Sequence, residues 1–365
     1  MHPVLDRSPG SNPPVSAEDA RSGWLRSGIR RESSSARSRQ PGRWRRSGRI
    51  FGSLSSIALV LVACAGEGGG RTFMSIGTAG TGGLYYPIGG ALASRLSIRD
   101  SARTYTAEVT GGSVENIQRL ARGEMDLAFV IGTTAWEAYN GGTDFEQPQT
   151  WLRIVAPLYP NLTHILVRSG AGIRSVADLR GQRVSVGAAG SGTEQLARHV
   201  LEAYGLTYDD VDEKYLSFTE SASALADAAI DAAIITVGYP ASSVLEATTT
   251  GRVELLPIDS AHTAALAIKH AYYTPSTIPP GTYPGQTAEL KTFSVMNWIV
   301  ARDDLDPVVV ADVLDILSEE IDGLRQAVDI AGQIRLTNLY AAPIPLHDAT
   351  RAWLERNSTR PPSPG

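Results

Sequence analysis

The chain has 365 residues, 42% of them hydrophobic, and a formal net charge of −5, which is length enough for two ordinary domains with separate cores. Residues 1–63 hold 11 Arg against 4 acidic residues, leaving the rest of the chain with a balance of −12. A body that acidic does not suit nucleic acid, whose affinity rests on Lys and Arg contacts to phosphate, and a single Cys excludes an internal disulfide.

In chain order, residues 1–42 are rich in Arg, Ser, Pro and Gly without periodicity. They read as a disordered extension, or as the product of a start codon placed too early. Arg43, Arg45, Arg46 and Arg49 then precede the apolar run Ile50–Ala63, and Cys64 follows. A charged region, about fifteen apolar residues and a small residue before the cut describe a secretory signal, whereas a membrane span needs about 20. Leu61-Val62-Ala63-Cys64 resembles the bacterial lipobox, in which the Cys is lipidated and becomes the new N-terminus. The plain alternative is an uncleaved anchor with an incidental Cys. Arg45-Arg46 lacks the flanking pattern of a twin-arginine signal. Residues 65–71 form a Gly-rich tether.

The stretch 73–90, FMSIGTAGTGGLYYPIGG, opens with a short apolar strand and turns through Gly77, Gly80, Gly82 and Gly83. Leu84, Ile88, Leu92 and Leu96 then recur at helical spacing. Strand, glycine turn and helix start aim unpaired backbone N–H groups and the positive end of a helix dipole at an anion. The pattern returns at Ser185–Thr193, SVGAAGSGT, again between an apolar run and a helix. Two such turns predict two α/β lobes, each offering a helix N-terminus to one cleft.

Between and after these turns, strands and helices alternate, which argues for a parallel sheet with helices on both faces. Residues 104–109 read as a strand, and Ser113 as the N-cap of a helix over 114–122. Residues 126–131 suit a buried parallel strand, and Thr133 or Thr134 caps a helix ending at 140–142. Residues 152–158 and 164–167 read as two strands separated by Tyr159-Pro160-Asn161. Ser175 starts a short helix, and Ser191-x-x-Glu194 fits a capping box. Residues 219–229 predict a helix, 232–236 a strand ending at Gly238-Tyr239-Pro240, and 253–259 and 293–300 further strands. Residues 308–328 and 348–356 predict C-terminal helices, and 360–365 a disordered tail.

Enzyme signatures are missing. The glycines spell neither a dinucleotide fingerprint nor a P-loop, no His pair stands at metal spacing, and Gly190-Ser191-Gly192 lacks the outer glycines of a nucleophile elbow. What remains is a surface of hydroxyls and amides. Thr78, Thr81, Ser191 and Thr193 flank the turns, and Tyr85, Tyr86, Tyr159 and Tyr239 lie near strand or turn ends. Such groups hold a small anion without Arg. On the bland reading, the glycines only permit positive φ and close contact, and the hydroxyls are plain caps.

The phrases IGTAGTGGLYYPIGGALA (76–93), GSVENIQRLARGEMDLAFV (112–130), SVADLRGQRVSVGAAGSGTEQLARHVLEAYGL (175–206) and IPPGTYPGQ (278–286) resemble the TAXI family. These are solute-binding proteins of the tripartite ATP-independent periplasmic (TRAP) transporters. The likeness spans about 72–350. It implies a type II periplasmic-binding-protein fold, two α/β lobes joined by hinge strands that close around ligand. Lobe I is expected from 72–158 and 259–350, and lobe II from 159–258. The implied ligand is a small carboxylate such as glutamate or 2-oxoglutarate, with no cofactor and no catalysis. The implied partners are TRAP permease subunits and, through the lipid anchor, the membrane, with a monomeric, extracytoplasmic receptor. The same fold serving an ABC importer or a sensor is the alternative.

Position by position, Gly80, Thr81, Gly82, Gly83 and Tyr86 match the family's first binding turn. Ser191, Gly192 and Thr193 match the second, Tyr159 the tyrosine near the crossover, and Gly238-Tyr239 the later loop; Thr78 joins them as a turn hydroxyl. One departure stands out. Family members usually carry Gln-Ser-Asp or a close variant where this chain has Ile131-Gly132-Thr133. Losing that Gln and Asp favours a ligand without an ammonium group, unless Glu108 or backbone carbonyls replace them.

Overall fold

The computed structural model describes residues 72–358. The expected export signal, Cys64, the tether and the Pro-rich tail lie outside those residues. In chain order the elements are β1 (Thr72–Gly77), α1 (Tyr85–Arg99), β2 (Arg103–Glu108), α2 (Ser113–Ala121), β3 (Leu127–Ile131), α3 (Gly132–Asn140) and β4 (Leu152–Arg168). Next come β5 (Arg183–Ser185), α4 (Gly192–Ala203), β6 (Asp212–Lys214), α5 (Phe218–Ala226), β7 (Ala232–Val237), α6 (Ser242–Thr249) and β8 (Val253–Leu256). The chain finishes with α7 (Ser260–Lys269), β9 (Thr274–Ile278), β10 (Leu290–Arg302), α8 (Pro307–Glu319), α9 (Ile321–Ala327) and α10 (Asp348–Ser358).

The strands form a sheet in the order β2-β1-β3-β10-β4-β7-β5-β6, with β8 on β4 and β9 on β10. β1 lies parallel to β2 and β3, and β5 parallel to β6 and β7. The two parallel sets are joined by the long antiparallel strands β4 and β10, which belong to both. Residues 297–301 of β10 pair with β3, while residues 290–294 pair with β9. Residues 162–167 of β4 pair with β7, and its earlier part, from 152, with β10. This is a mixed α/β fold of two lobes with crossing hinge strands, as expected.

Each lobe has its own apolar interior. Ile76, Leu127, Phe129 and Trp298 meet the faces of α1, α2 and α8 in the first. In the second, one face gathers Val184, Leu196 and Ile234, and the other Leu225, Ile235 and Val244. β3 and β7 are buried at every residue, the continuous apolar reading of a strand covered on both sides. The C-terminal helices return to the first lobe, where Trp353 Nε1 on α10 donates to Asp315 on α8 at 2.7 Å and Arg99 on α1 meets Asp312 and Asp315.

Four local expectations change. Residues 152–168 are one strand, not two, because Pro160 sits within the pairing to β10, opposite Met296. Residues 259–295 belong with the second lobe: Leu266, Tyr273 and Phe293 pack with Val184 and Leu196, and Ile278 and Leu290 with Ile235. The return crossing therefore comes with β10. Ser113 is the first helical residue of α2 behind Gly112, and its hydroxyl accepts the Ile131 amide at 3.0 Å. Thr133 and Thr134 lie inside α3, whose N-cap is Ile131.

Candidate ligand-binding cavity

The C-terminal ends of β1, β5 and β7 lead into loops that face one another across the crossing strands, where open α/β sheets hold ligands. A cavity of about 80 Å³ lies there. Four helix starts line it: Gly80, Gly83 and Tyr85 before and in α1, Thr110–Ser113 at α2, Ser191–Thr193 at α4, and Ser217 and Phe218 at α5. Tyr159 and Asn161 of β4 and Thr236 of β7 supply the wall between them.

None of the lining residues is charged. The field inside therefore comes from helix ends, each carrying roughly half a positive charge on first-turn amides that have no intrahelical acceptor. Ser191 Oγ accepts the Glu194 amide at 3.0 Å, so the cap expected there forms, but the Glu194 carboxylate turns away to Arg198 at 2.7 Å. Ser217 and Glu220 complete a reciprocal capping box on α5. α2 has no side-chain cap of its own. Its Val114 and Glu115 amides donate instead to the Gly190 carbonyl of the other lobe, each at 3.1 Å.

The two glycine turns look alike in sequence and differ in backbone. Gly187 and Gly190 adopt φ of 99° and 74°, where a side chain is strained, whereas Gly80, Gly82 and Gly83 do not enter that region. In the first turn the missing Cβ matters for contact: Gly82 and Gly83 lie against Phe218 and Thr219 of α5.

Of the residues singled out from sequence, Gly80, Gly83, Tyr159, Ser191, Gly192 and Thr193 line the cavity. Thr78, Thr81, Gly82, Tyr86, Gly238 and Tyr239 are outside its lining. Thr78 is buried with its hydroxyl on the Glu108 carbonyl at 2.6 Å, and its own carbonyl accepts Thr110 and Asn116. Thr81 is exposed, and Gly82 serves the contact between lobes. Tyr86 is 38% exposed, because the helix phase turns its neighbour Tyr85 inward. The Tyr85 hydroxyl donates to Asn297 Oδ1 at 2.5 Å, and Asn297 Nδ2 donates to the Tyr159 carbonyl at 2.7 Å, tying α1 to both hinge strands. Gly238 backs the wall, where a Cβ would come within 2.8 Å of Leu84 and Tyr159.

Sequence reasoning missed Thr110–Ser113, Asn161, Ser217, Phe218 and Thr236. The Ser217-x-x-Glu220 capping box was a readable helix start. Asn161 gives no such signal, because Tyr159-Pro160-Asn161 reads in sequence as a break between two strands. Ile131-Gly132-Thr133 lies outside the lining as well, and Ile131 Cδ1 sits 3.0 Å from where a Cβ on Gly192 would be.

The lobes meet firmly beside the cavity. Thr134 on α3 donates to Gln195 Oε1 on α4 at 2.8 Å, and Gln195 Nε2 donates to Glu137 at 2.5 Å and to Asp144 at 3.0 Å. Arg198 adds a 2.7 Å bond to Asp144. Burial, helped by Asp144, pushes the Glu137 carboxyl up to about 7. Burial and neighbouring His270 hold His199 down at about 4.

Residues 76–356 match the model of the NMT1-like family. The chain belongs to the NMT1-like family. Solved structures share its architecture at low identity. MatC from Rhodopseudomonas palustris with bound malate is 13% identical, with a TM-score of 0.53 over 78% of this chain and 97% of that one. PhnD1 from Prochlorococcus marinus in complex with methylphosphonate is 11% identical, with a TM-score of 0.50 over 79% and 97%. The periplasmic aliphatic sulphonate binding protein SsuA from Escherichia coli is 16% identical, with a TM-score of 0.42 over 79% and 91%. The NMT1-like chain thus shares its mixed α/β fold with MatC and PhnD1. Among its described residues no helix is long and apolar enough to cross a membrane.

Proposed function

We propose that this NMT1-like protein is an extracytoplasmic, lipid-anchored receptor that captures a small carboxylate between its lobes and delivers it to a TRAP-type permease. The observation that carries the reading is the cavity itself: four helix N-termini converge on a space with no charged side chain in its lining. Such a site favours an anion and gives an ammonium group no carboxylate to pair with, so a ligand without that group suits it better than glutamate. It also holds no nucleophile–base pair, which favours binding over turnover. MatC and PhnD1, the two fold relatives with TM-scores of 0.53 and 0.50, were solved with small anions. The TAXI-like phrases and the lipobox-like Leu61–Cys64 support the TRAP and lipoprotein parts of the reading. Closure is a hinge motion about β4 and β10, with ligand stabilising the closed state by its differential affinity.

Thermal-shift screening against amino acids, hydroxyacids and 2-oxoacids tests the ligand class. Ligand at 100 times its Kd adds about 2.7 kcal/mol of stability. A sugar or a cation that raises the melting point where every carboxylate fails sinks the proposal. Delivery to an ABC importer is the alternative, and neighbouring genes separate the two: TRAP permease subunits or an ATPase.

A further inference from the structure

We infer that the ligand carries a hydroxyl group beside its carboxylate, read jointly by Tyr159 and Asn161 on the hinge strand β4. The inference rests on the carboxylate reading of the cavity and narrows it. Tyr159 is fully buried and Asn161 is 4% exposed, and both line the cavity. Tyr159 Oη and Asn161 Oδ1 have no hydrogen-bond partner in the protein. Buried polar atoms are nearly always paired, so two orphans two residues apart on one strand, beside one cavity, point to a missing partner.

The chemistry of that partner follows from what each atom can do. Asn161 Nδ2 donates to the Thr236 carbonyl at 3.3 Å, which fixes the amide orientation because a carbonyl only accepts. Oδ1 is left as an acceptor. Burial raises the Tyr159 phenol well above its ordinary pKa, so it stays an O–H. Tyr85 shows the contrast, its hydroxyl being used on Asn297. An alcohol on the ligand accepts from Tyr159 and donates to Asn161 at once. A keto oxygen only accepts, which leaves Asn161 Oδ1 bare, and a site built around a hydroxyl discriminates strongly against the analogue lacking it.

Calorimetric titration of the full chain with matched pairs tests this: lactate and pyruvate, malate and oxaloacetate, 2-hydroxyglutarate and 2-oxoglutarate. The hydroxyacid of the pair that fits is expected to bind at least tenfold tighter than its oxoacid. Asn161→Leu should bring that ratio towards one, whereas Tyr159→Phe, losing a donor that hydroxyl and keto oxygens both accept, should weaken both members of the pair about fivefold or more. Tyr159→Phe removes an oxygen that bonds no protein group, so it keeps the test usable if the Asn161 variant fails to fold. Equal or tighter oxoacid binding, or unchanged affinity for both members in Tyr159→Phe, overturns the inference and leaves the carboxylate reading standing. If no member of any pair binds, the carboxylate reading falls and takes the inference with it.

Discussion

Gly111→Ala should weaken ligand binding without unfolding either lobe. Gly111 sits in the loop before α2, and a Cβ there would lie 2.6 Å from the Ala189 carbonyl of the other lobe and 2.9 Å from Glu115 Oε2. Its φ lies outside the left-handed region, so Ala suits the backbone itself. The Glu115 side chain can swing aside. A backbone carbonyl cannot, so the loop carrying Ala189 and Gly190 must withdraw. Withdrawal breaks the Val114 and Glu115 bonds to the Gly190 carbonyl, both 3.1 Å, which exist only between lobes. At about 0.5–1.5 kcal/mol each, they are together worth about 1–3 kcal/mol of closed-state stability. Because ligand binds the closed state, Kd should rise about 5- to 150-fold. Calorimetric titration measures the change, and the ligand-free melting point serves as the control. A Kd within twofold of the parent, with the fold intact, would refute the idea that this contact sets closure.

Tyr85→Phe and Tyr159→Phe should part company in ligand-free stability. The first strands Asn297 Oδ1, bonded at 2.5 Å, and should cost about 1–3 kcal/mol in urea, while the second removes an unpaired hydroxyl and should cost nothing or stabilise slightly. Equal losses would show that the Tyr159 hydroxyl has a protein partner. Asp231→Ala should cost about 2–3 kcal/mol at neutral pH, because the carboxylate accepts from Arg183 Nε at 2.8 Å and Arg168 at 2.8 Å; a loss under 0.5 would make the pair ornamental. Glu137 and His199 should oppose each other in the pH profile. With Glu137 raised to about 7, the folded state holds more protons than the unfolded chain between its ordinary value and 7, so stability falls as pH rises there. His199, lowered to about 4, makes the folded state hold fewer protons from 4 up to its ordinary value, so stability rises with pH. Removing the Glu137 part by Glu137→Gln should therefore steepen the rise in melting temperature from pH 4 to 6.5, and an unchanged slope would exclude the shift.

Much of this molecule was legible in one dimension. Apolar runs such as 127–131 and 232–237 are strands because a strand covered on both faces needs no polar residue. The helix starts at Ser191 and Ser217 are written in side chains that satisfy their own first-turn amides. Hence the α/β alternation, the two glycine turns and half of the singled-out residues lie where local chemistry put them. Local chemistry cannot say which side of a helix faces a neighbour 100 residues away. Tyr85 and Tyr86 are equivalent as letters, and only the register of α1 against β10 makes one a wall and the other a surface residue. Pro160 reads as a break between strands, yet pairing with Met296 carries β4 through it and places Asn161 inside the lobe junction. The N-terminus of α2 has no cap within its own helix, and the carbonyl that satisfies it comes from Gly190 in the other lobe. The sequence by itself determined the two lobes and the supply of donors. The tertiary structure decided which donors share a cavity, because that depends on long-range strand pairing and on contacts that exist only when the lobes meet.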